Sequence, residues 1–324
     1  HLSPAYRSGS ISNAAEINGR KQCNGEEKIM DYKIKEKNGQ VVLENMESFE
    51  LPHIFDCGQC FRWNKEADGS YTGVVKGRIL NVKKQEDKII FDQTSPEDFQ
   101  SLWVDYFDLD RNYDEIKNKL KKDDLVMKKA TDHGHGIRIL NQDEWEVLLS
   151  FIISANRGIP LIKKSIEALC LRYGAFLGEY KGKSYYDFPK PEAMLNKSVE
   201  EIMQSHTGYR AKHIVDAAII VAEKQIDIYR LKNLTTEEAR IQLMRFGGIG
   251  PKVSDCVLFF SMKKTDAFPI DVWVKRVMEY FYLPEATNMK DIQKYAKEQF
   301  GEYCGFAQQY LFYYARELGI GKNS

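Results

Sequence analysis

The sequence FGGIGPKVSDC occupies residues 246–256, and FPID follows it at residues 268–271. A capping-box pattern, Thr235 with Glu238 three residues later, predicts a helix that starts shortly before the first stretch. The three glycines should end this helix, since glycine adopts left-handed backbone angles freely. The proline after them is a favourable first residue of a second helix. The pattern predicts helix, tight turn and helix, with free N–H groups at a helix start that favour phosphate binding.

Two charged side chains in these stretches have a chemical interpretation. Lys252 lies in the first turn of the second predicted helix, and an amine is the side chain that forms Schiff bases with carbonyl carbons. Asp271 precedes an apolar-periodic helix and is predicted to be its N-cap. Taken singly, a surface lysine and a capping aspartate would explain both residues. Next to the glycine turn, the pair instead indicates a catalytic site.

Four further segments, together with the glycine turn, resemble the motifs of one family. The family is the helix-hairpin-helix, glycine/proline-aspartate superfamily of DNA glycosylases, and the Lys-Val-x-Asp-Cys version resembles its 8-oxoguanine branch. The segments are residues 57–63 (CGQCFRW), 151–156 (FIISAN), 208–211 (GYRA) and 305–312 (GFAQQYLF). All five motifs follow the family's order from about residue 45 to the C-terminus. The chain is similar to a bacterial 8-oxoguanine DNA glycosylase and AP lyase.

The resemblance implies a covalent mechanism. Lys252 would be the nucleophile that attacks C1′ of the damaged nucleotide and displaces the base. Asp271 would orient and deprotonate the lysine, and its charge would stabilise the oxocarbenium-like sugar. The resulting Schiff base permits β-elimination of the 3′ phosphate, so abasic strands would also be nicked. The base has to leave the duplex first, because its glycosidic bond is inaccessible within the stack.

Base recognition is also implied by the resemblance. The Gly58 carbonyl would accept the N7–H that 8-oxoguanine has and guanine lacks, a contact of roughly 1–3 kcal/mol. Phe312 and Cys256 would sandwich the flipped ring, and Gln308 would contact its Watson–Crick edge. Two simpler interpretations stay open, since Phe312 could be a core aromatic of the last helix and Gly58 a turn glycine.

Further residues are expected to bind DNA. By resemblance, Asn156 would fill the gap left by the extruded base, Tyr209 would wedge beside the opposite strand, and Arg210 would contact the estranged base. Gly248 and Gly250 of the turn, together with the nearby positive charge of Lys264, are candidates for phosphate contacts. Such binding should weaken steeply with salt.

The chain departs from the family pattern beside Asn156. Eukaryotic members carry three asparagines there and an arginine about five residues beyond the first, whereas this chain has Asn156-Arg157-Gly158 and then Leu161. A preference for cytosine opposite the lesion is associated with that pattern. We therefore expect relaxed opposite-base selectivity.

No cofactor is expected for catalysis, but a structural cation is implied. By resemblance, the backbone carbonyls of Met244, Phe246 and Ile249 would hold it at the hairpin. Cys57-x-x-Cys60 is only half a zinc site, with no second pair at ligand spacing. The four-cysteine run that binds an iron–sulfur cluster in some relatives is absent.

Composition limits the classes of partner. Among 324 residues, 47 Lys and Arg balance 47 Asp and Glu, so DNA binding would depend on a local basic patch. The six scattered cysteines favour reduced thiols and a cytoplasmic location, the bacterial nucleoid. No apolar run reaches membrane-spanning length. The expected partner is double-stranded DNA containing 8-oxoguanine, bound by a monomer without a membrane.

The chain pattern predicts an α+β fold. Short alternating runs separated by turn residues indicate an antiparallel β-rich N-terminal domain over residues 30–125. Helical spacing then predicts a mainly α-helical body over residues 126–324, with the helix-hairpin-helix near residues 235–262. Residues 1–29 resemble an expression leader and are expected to lie outside the fold. Residues 173–191 are expected to form a loop.

Two alternatives remain open. A sister helix-hairpin-helix glycosylase for other damaged bases would use the same aspartate, but relatives without the lysine are monofunctional. A non-enzymatic helix-hairpin-helix DNA-binding module would need neither Lys252 nor Asp271. Substitution of Asp271 would therefore leave such a module's function intact and would abolish that of a glycosylase.

Overall fold

The first described residues form an antiparallel sheet. The computed structural model describes residues 16–23 and 26–320, with side chains from residue 33 onward. Seven strands pair in the order β1-β2-β3-β7-β6-β5-β4, every neighbouring pair antiparallel. The strands are β1 (Glu16–Cys23), β2 (Glu26–Lys37), β3 (Gln40–Glu44), β4 (Trp63–Lys65), β5 (Tyr71–Val75), β6 (Arg78–Gln85) and β7 (Lys88–Asp92).

Helices make up most of the remaining chain. One short helix, α1 (Leu51–Phe55), lies between β3 and β4. A π-helical turn at Phe99–Trp103 joins two further short helices, α2 (Pro96–Asp98) and α3 (Val104–Tyr106). The later helices are α4 (Tyr113–Leu120), α5 (Leu125–His133), α6 (Glu144–Ser154), α7 (Ile159–Tyr173), α8 (Pro191–Met194), α9 (Val199–Ile202), α10 (Ala211–Ala222), α11 (Thr236–Leu243), α12 (Pro251–Ser261), α13 (Val272–Phe281), α14 (Met289–Phe300) and α15 (Cys304–Leu318). This architecture confirms the predicted fold class. Residues 16–23 and 26–320 contain no helix with the length and apolar character that bilayer crossing requires.

Two hydrophobic cores meet at the segment after α1. Cys60 and Trp63 belong to the core between the sheet and the first helices, where the Trp63 ring stacks on Phe55 at 4.2 Å between centroids. Cys57 and Phe61 instead belong to the core of the helical body. This short segment therefore contributes side chains to both cores. This loop fixes the sheet to the helices.

The fully buried Gln59 completes that junction. Its amide donates to the carbonyls of Ile54 (2.8 Å) and Arg138 (2.7 Å), and its side-chain oxygen accepts from Leu140 N–H (2.9 Å). The Gln59 carbonyl in turn accepts from the Gln142 amide at 2.7 Å. Every polar atom of this buried side chain is hydrogen-bonded, as burial requires. Gln59 thus acts within the fold as a structural connector.

The N-terminal boundary differs from the expectation. We expected residues 1–29 to lie outside the fold, but residues 16–23 form β1 and residues 26–29 begin β2. Ladder hydrogen bonds use backbone groups, so a polar segment without an apolar pattern can still extend a sheet edge. Residues 1–15 lie outside the described residues.

Two other boundaries also differ from the sequence expectation. Residues 173–191, expected to be a loop, contain an antiparallel hairpin, β8 (Phe176–Tyr180) and β9 (Lys183–Tyr186). Its turn has positive φ at both Lys181 (49°) and Gly182 (73°), the combination that a two-residue hairpin turn requires. The helical body also begins earlier than residue 126, because α4 contributes Tyr113 and Ile116 to its core.

Candidate active site

The predicted hairpin is present between α11 and α12. The Thr235 hydroxyl accepts from Glu238 N–H at 3.2 Å, and the Glu238 carboxylate accepts from Thr235 N–H at 2.9 Å. This capping box starts α11 at Thr236, and α12 begins at Pro251. The capping box, the turn and the second helix start therefore confirm the local prediction.

Buried contacts hold the hairpin in place. Arg240 on α11 and Asp255 on α12 form a salt bridge of 2.7 Å, and burial raises the pKa of the Asp255 carboxyl although Arg240 opposes it. The His213 ring covers the glycine turn. Gly248 has φ +79°, and a Cβ added there would lie 3.0 Å from that ring, whereas one added at Gly250 would meet nothing. The turn thus requires glycine at 248 for both its backbone angle and its close packing.

A small cavity brings together six residues that the sequence assigns to catalysis or base recognition. Its volume is about 70 Å³. The six come from the loop after α1, from α12, from the N-cap of α13 and from α15. They are Gly58, Lys252, Cys256, Asp271, Gln308 and Phe312. The predicted catalytic pair and the predicted base-recognition set therefore line the same cavity.

The amine and the carboxylate approach this cavity from two helix starts. Lys252 is half-buried in the first turn of α12, and its Nζ lies 5.3 Å from the centroid of the Phe151 ring, a cation–π contact. Asp271 accepts from Val274 N–H at 2.7 Å and caps α13, as predicted. Burial raises the pKa of Cys256 to about 11 against the effect of the Lys252 charge, so this wall of the cavity is a neutral thiol at pH 7.

The opposite wall is built by α15 and the loop after α1. Gln308 is 6% exposed, and its side-chain oxygen has no hydrogen-bond partner among the described residues. A buried acceptor without a partner indicates a place for an incoming donor. Phe312 is half-buried and meets the Trp273 ring edge-on at 6.1 Å. Gly58 has φ +86°, and a Cβ there would lie 3.8 Å from the Phe312 ring.

The expected DNA-contacting loops lie outside this cavity. Asn156 is exposed with φ 53°, and Tyr209 is 64% exposed. Arg210 is only 6% exposed, with its guanidinium 4.3 Å from the Tyr209 ring centroid and donating to the Ala155 carbonyl. In this conformation Arg210 supports the Asn156 loop, and its contact with an estranged base stays a prediction.

A second connection joins the same two loops. Arg157 donates to the Ser165 hydroxyl at 2.8 Å, and Ser165, fully buried on α7, donates to the His206 carbonyl at 2.9 Å. Partial burial, with the nearby Arg210 charge, lowers the pKa of Arg157. The loop that carries Asn156 and the segment that carries Tyr209 are thus held together as one unit.

Two other expectations stay untested by these contacts. Lys264, expected to bind DNA, donates to the Leu234 carbonyl instead. Of the carbonyls expected to hold a cation, that of Phe246 accepts from Ile249 N–H at 3.2 Å, and that of Met244 belongs to the C-cap residue of α11. In the described part of the chain, no three His, Cys, Asp or Glu side chains are arranged to hold a metal. The carbonyl site therefore stays a prediction.

Sequence reasoning missed part of the cavity. The residues without a predicted role are Cys57, Phe151, Phe260, Pro269, Val274 and Gln309. Phe151 stands at the start of the FIISAN motif, and its stacking on Phe260 (5.8 Å) packs α6 against α12. Its position in the motif was the available signal. Gln309 also stands in a motif, GFAQQYLF, but nothing in the sequence indicated its burial, because a buried amide and an exposed one look alike in sequence.

Comparison with known families agrees with this geometry. Residues 41–148 match the family described as 8-oxoguanine DNA glycosylase, N-terminal domain, and residues 149–302 match the HhH-GPD superfamily of base excision DNA repair proteins. The chain belongs to the 8-oxoguanine DNA glycosylase family. The family and the enzyme class predicted from the five motifs, DNA N-glycosylase and lyase, are thereby confirmed. A bacterial origin stays a prediction.

Individual relatives show how far the likeness extends. The 8-oxoguanine glycosylase/lyase of Clostridium acetobutylicum, solved with double-stranded DNA containing cytosine opposite 8-oxoG, is 43% identical and has a TM-score of 0.87. MBOgg1, solved with a low affinity DNA ligand, is 49% identical with a TM-score of 0.86. Each match covers 90% of this chain and 100% of the solved one. A probable N-glycosylase/DNA lyase of Methanothermobacter thermautotrophicus is 30% identical, over 61% of this chain and 69% of its own length.

Proposed function

We propose that this enzyme excises 8-oxoguanine from duplex DNA through a Schiff base on Lys252 and then nicks the strand by β-elimination. One observation carries the proposal: a candidate nucleophile, a carboxylate and four candidate base contacts line one cavity, although they are up to 254 residues apart, from Gly58 to Phe312. A DNA-binding module would have no need of such a cavity. Family membership supplies the substrate class.

The proposed chemistry uses the two charged groups that line the cavity. Asp271 takes a proton from the Lys252 amine, whose lone pair forms a bond to C1′ as the bond from C1′ to the base nitrogen breaks. The leaving base keeps the electron pair of the broken bond and takes up the proton that Asp271 accepted. Opening of the sugar ring gives the Schiff base, and loss of the C2′ proton then expels the 3′ phosphate. The carboxylate also stabilises positive charge on the sugar.

Selection of the lesion is proposed to depend on two acceptors. The Gln308 side-chain oxygen is buried without a partner and would accept from the Watson–Crick edge of the flipped base. The Gly58 carbonyl would accept the N7–H that distinguishes 8-oxoguanine from guanine. Phe312 and Cys256 would hold the ring between them. Each unmatched buried group would cost roughly 1–3 kcal/mol, which sets the scale of discrimination.

The cavity would have to widen when a base enters. A volume of about 70 Å³ is well below the roughly 300 Å³ at which small-molecule sites begin. Phe312 is the wall best placed to move, since it is only half-buried and packs edge-on against Trp273. Entry of the base would thus be coupled to a side-chain rearrangement of α15.

Relaxed selectivity for the opposite base is part of the proposal. Leu161, which stands where the family pattern has an arginine, is 51% exposed and offers no hydrogen-bond donor. Arg210 is engaged with the Ala155 carbonyl. These two residues therefore offer few free hydrogen-bond donors to an opposite cytosine. We also propose that it acts as a monomer, with a structural cation at the carbonyls of residues 244, 246 and 249.

Borohydride trapping tests the mechanism directly. The wild-type enzyme should form a covalent adduct with a duplex that contains 8-oxoguanine, whereas Lys252→Gln should form none and should keep its DNA affinity. Lys128→Gln is a matched control, because Lys128 is exposed on α5 and away from the cavity. Failure of the wild type to form an adduct would remove the Schiff-base mechanism.

A substrate panel separates the remaining alternatives. Strand cleavage should be followed on duplexes with 8-oxoguanine opposite each of the four bases, and on a duplex with an alkylated purine. Cleavage of 8-oxoguanine at comparable rates with all four partners is expected. A strong preference for cytosine would contradict the selectivity argument. Cleavage confined to the alkylated base would favour the sister glycosylase.

A further inference from the structure

A second glutamine of α15 contacts the loop that carries Gly58. Gln309 is 2% exposed and follows Gln308 directly. Its side-chain amide donates to the Cys57 carbonyl at 2.9 Å, a contact between the last helix and the loop after α1. Both Gln309 and Cys57 line the cavity. The two adjacent amides of α15 therefore differ in their contacts. Gln308 lines the cavity with an unpaired acceptor, whereas Gln309 is hydrogen-bonded to the cavity wall.

The position of the Gly58 carbonyl depends on its neighbours. Gly58 has no side chain, and its φ of +86° lies in the region where glycine alone is unstrained. On one side, the Gln59 side chain is anchored by three hydrogen bonds within the fold. On the other side, Gln309 fixes the carbonyl of Cys57, which belongs to the peptide that leads into Gly58. The glycine is thus held between two buried amides.

We propose that Gln309 is a positioning residue for recognition of the damaged base, because it holds the Cys57–Gly58 peptide so that the Gly58 carbonyl faces the base. This inference rests on the proposed function. The Gln309 bond fixes the plane of the Cys57–Gly58 peptide, since a peptide is rigid and its carbonyl oxygen and N–H move together. The Gly58 carbonyl belongs to the next peptide, and its direction is set by the Gly58 backbone angles between this fixed plane and the anchored Gln59. Loss of the amide would let the Gly58 backbone rotate, and the N7–H contact would weaken.

The two activities of the enzyme give a way to isolate this role. Excision of 8-oxoguanine requires the base contact. β-Elimination at a preformed abasic site requires Lys252 but has no base to recognise. A positioning role for Gln309 therefore predicts that excision falls while cleavage of abasic DNA is kept. A merely structural role would lower both activities together.

The experiment compares Gln309→Met with the wild type under single-turnover conditions on both substrates. Methionine keeps the volume and length of the side chain and removes the donor. Excision should fall at least about fivefold, the effect of losing one buried hydrogen bond, and abasic-site cleavage should stay within about twofold. Tyr310→Phe is the matched control, because Tyr310 is buried on the same helix and its hydroxyl has no partner among the described residues.

The outcomes distinguish failure of the Gln309 role from failure of the proposed substrate. Equal losses on both substrates, or no loss on either, would overturn the positioning role of Gln309. If Gln309→Met does not fold, as judged by thermal unfolding, Gln309→Asn keeps an amide but withdraws it by one methylene, and the same selective loss is expected. A wild-type enzyme that cleaves abasic DNA and leaves 8-oxoguanine intact would overturn the proposed substrate instead.

Discussion

At the scale of single residues, Asp271 caps a helix and has a proposed second role in catalysis, and the two roles are separable. Its carboxylate accepts from Val274 N–H at 2.7 Å and so caps α13, and it also lines the cavity that contains Lys252. Asparagine caps a helix about as well as aspartate does, because its side-chain oxygen accepts the same hydrogen bond. Asparagine cannot take a proton from an amine. The two tasks can therefore be distinguished by substitution.

Asp271→Asn should keep the stability of the wild type to within a few tenths of a kcal/mol, since the cap is retained. It should lose most base excision. Asp271→Ala should lose excision and also about 1 kcal/mol of unfolding free energy. Urea unfolding and single-turnover excision measure the two effects. Asn288→Ala, which removes the cap of α14 away from the cavity, should cost similar stability and leave activity intact.

If Asp271→Asn retained full excision, the carboxylate would have no catalytic role. That result would leave capping as the whole function of the residue.

At the scale of elements, the glycine turn between α11 and α12 is a rigid unit rather than a loose connection. The Arg240–Asp255 salt bridge joins the two helices, and the His213 ring of α10 closes over the turn. Only part of the turn needs glycine, because the backbone of Gly250 is extended with φ −102° and its surroundings are open. The two glycines therefore differ in their tolerance to substitution.

Gly248→Ala should destabilise the protein by about 1–3 kcal/mol, because alanine is strained at a positive φ and its Cβ would press on the His213 ring. It should also weaken DNA binding. Gly250→Ala, at the N-cap of α12, should cost less, within about 1 kcal/mol, because alanine is only a poorer cap than glycine and meets no clash. Thermal unfolding and titration with an abasic duplex compare the pair. Equal effects of the two substitutions would contradict this account of the turn.

At the scale of the whole molecule, stability should depend on pH through the junction of the two cores. His53 on α1 accepts from Gly136 N–H at 3.2 Å through its Nδ1 atom, which requires the neutral ring. Burial, followed by the charge of His135, lowers the pKa of His53 from its ordinary value of 6.5 to about 4. The stabilising contribution of the neutral ring is therefore complete above pH 6.5 and declines as the pH falls through 6.5 towards 4.

His53→Gln should reduce the acid sensitivity of the fold. Glutamine can still accept from Gly136 N–H but does not titrate. The wild type should lose about 1 kcal/mol more unfolding free energy than the variant between pH 7 and pH 5. Urea unfolding at both pH values measures this difference. His206→Asn, at an exposed position, is the control and should follow the wild type. If the variant and the wild type had the same free energy of unfolding at both pH values, the prediction would be wrong.

The sequence predicted those features that depend on local chemistry. Caps, glycine turns and alternating strands have short-range causes, so the capping box at Thr235 and the cap at Asp271 were predicted correctly. The prediction that the cavity residues lie together depended on the family motifs, since no local rule places Gly58 beside Phe312. The burial of Arg210 and the bond from Gln309 to Cys57 were not predictable, because both depend on packing between distant segments.

The participation of α15 has a consequence for synthesis of the protein. A growing chain that has emerged only as far as α13 already contains both the amine and the carboxylate. It still lacks the wall that would receive a base, since Gln308 and Phe312 belong to the last helix. A ribosome-bound fragment would therefore contain the proposed reactive pair and the Gly58 carbonyl before the two base contacts proposed for α15. Full selection of the damaged base would require completion of the polypeptide.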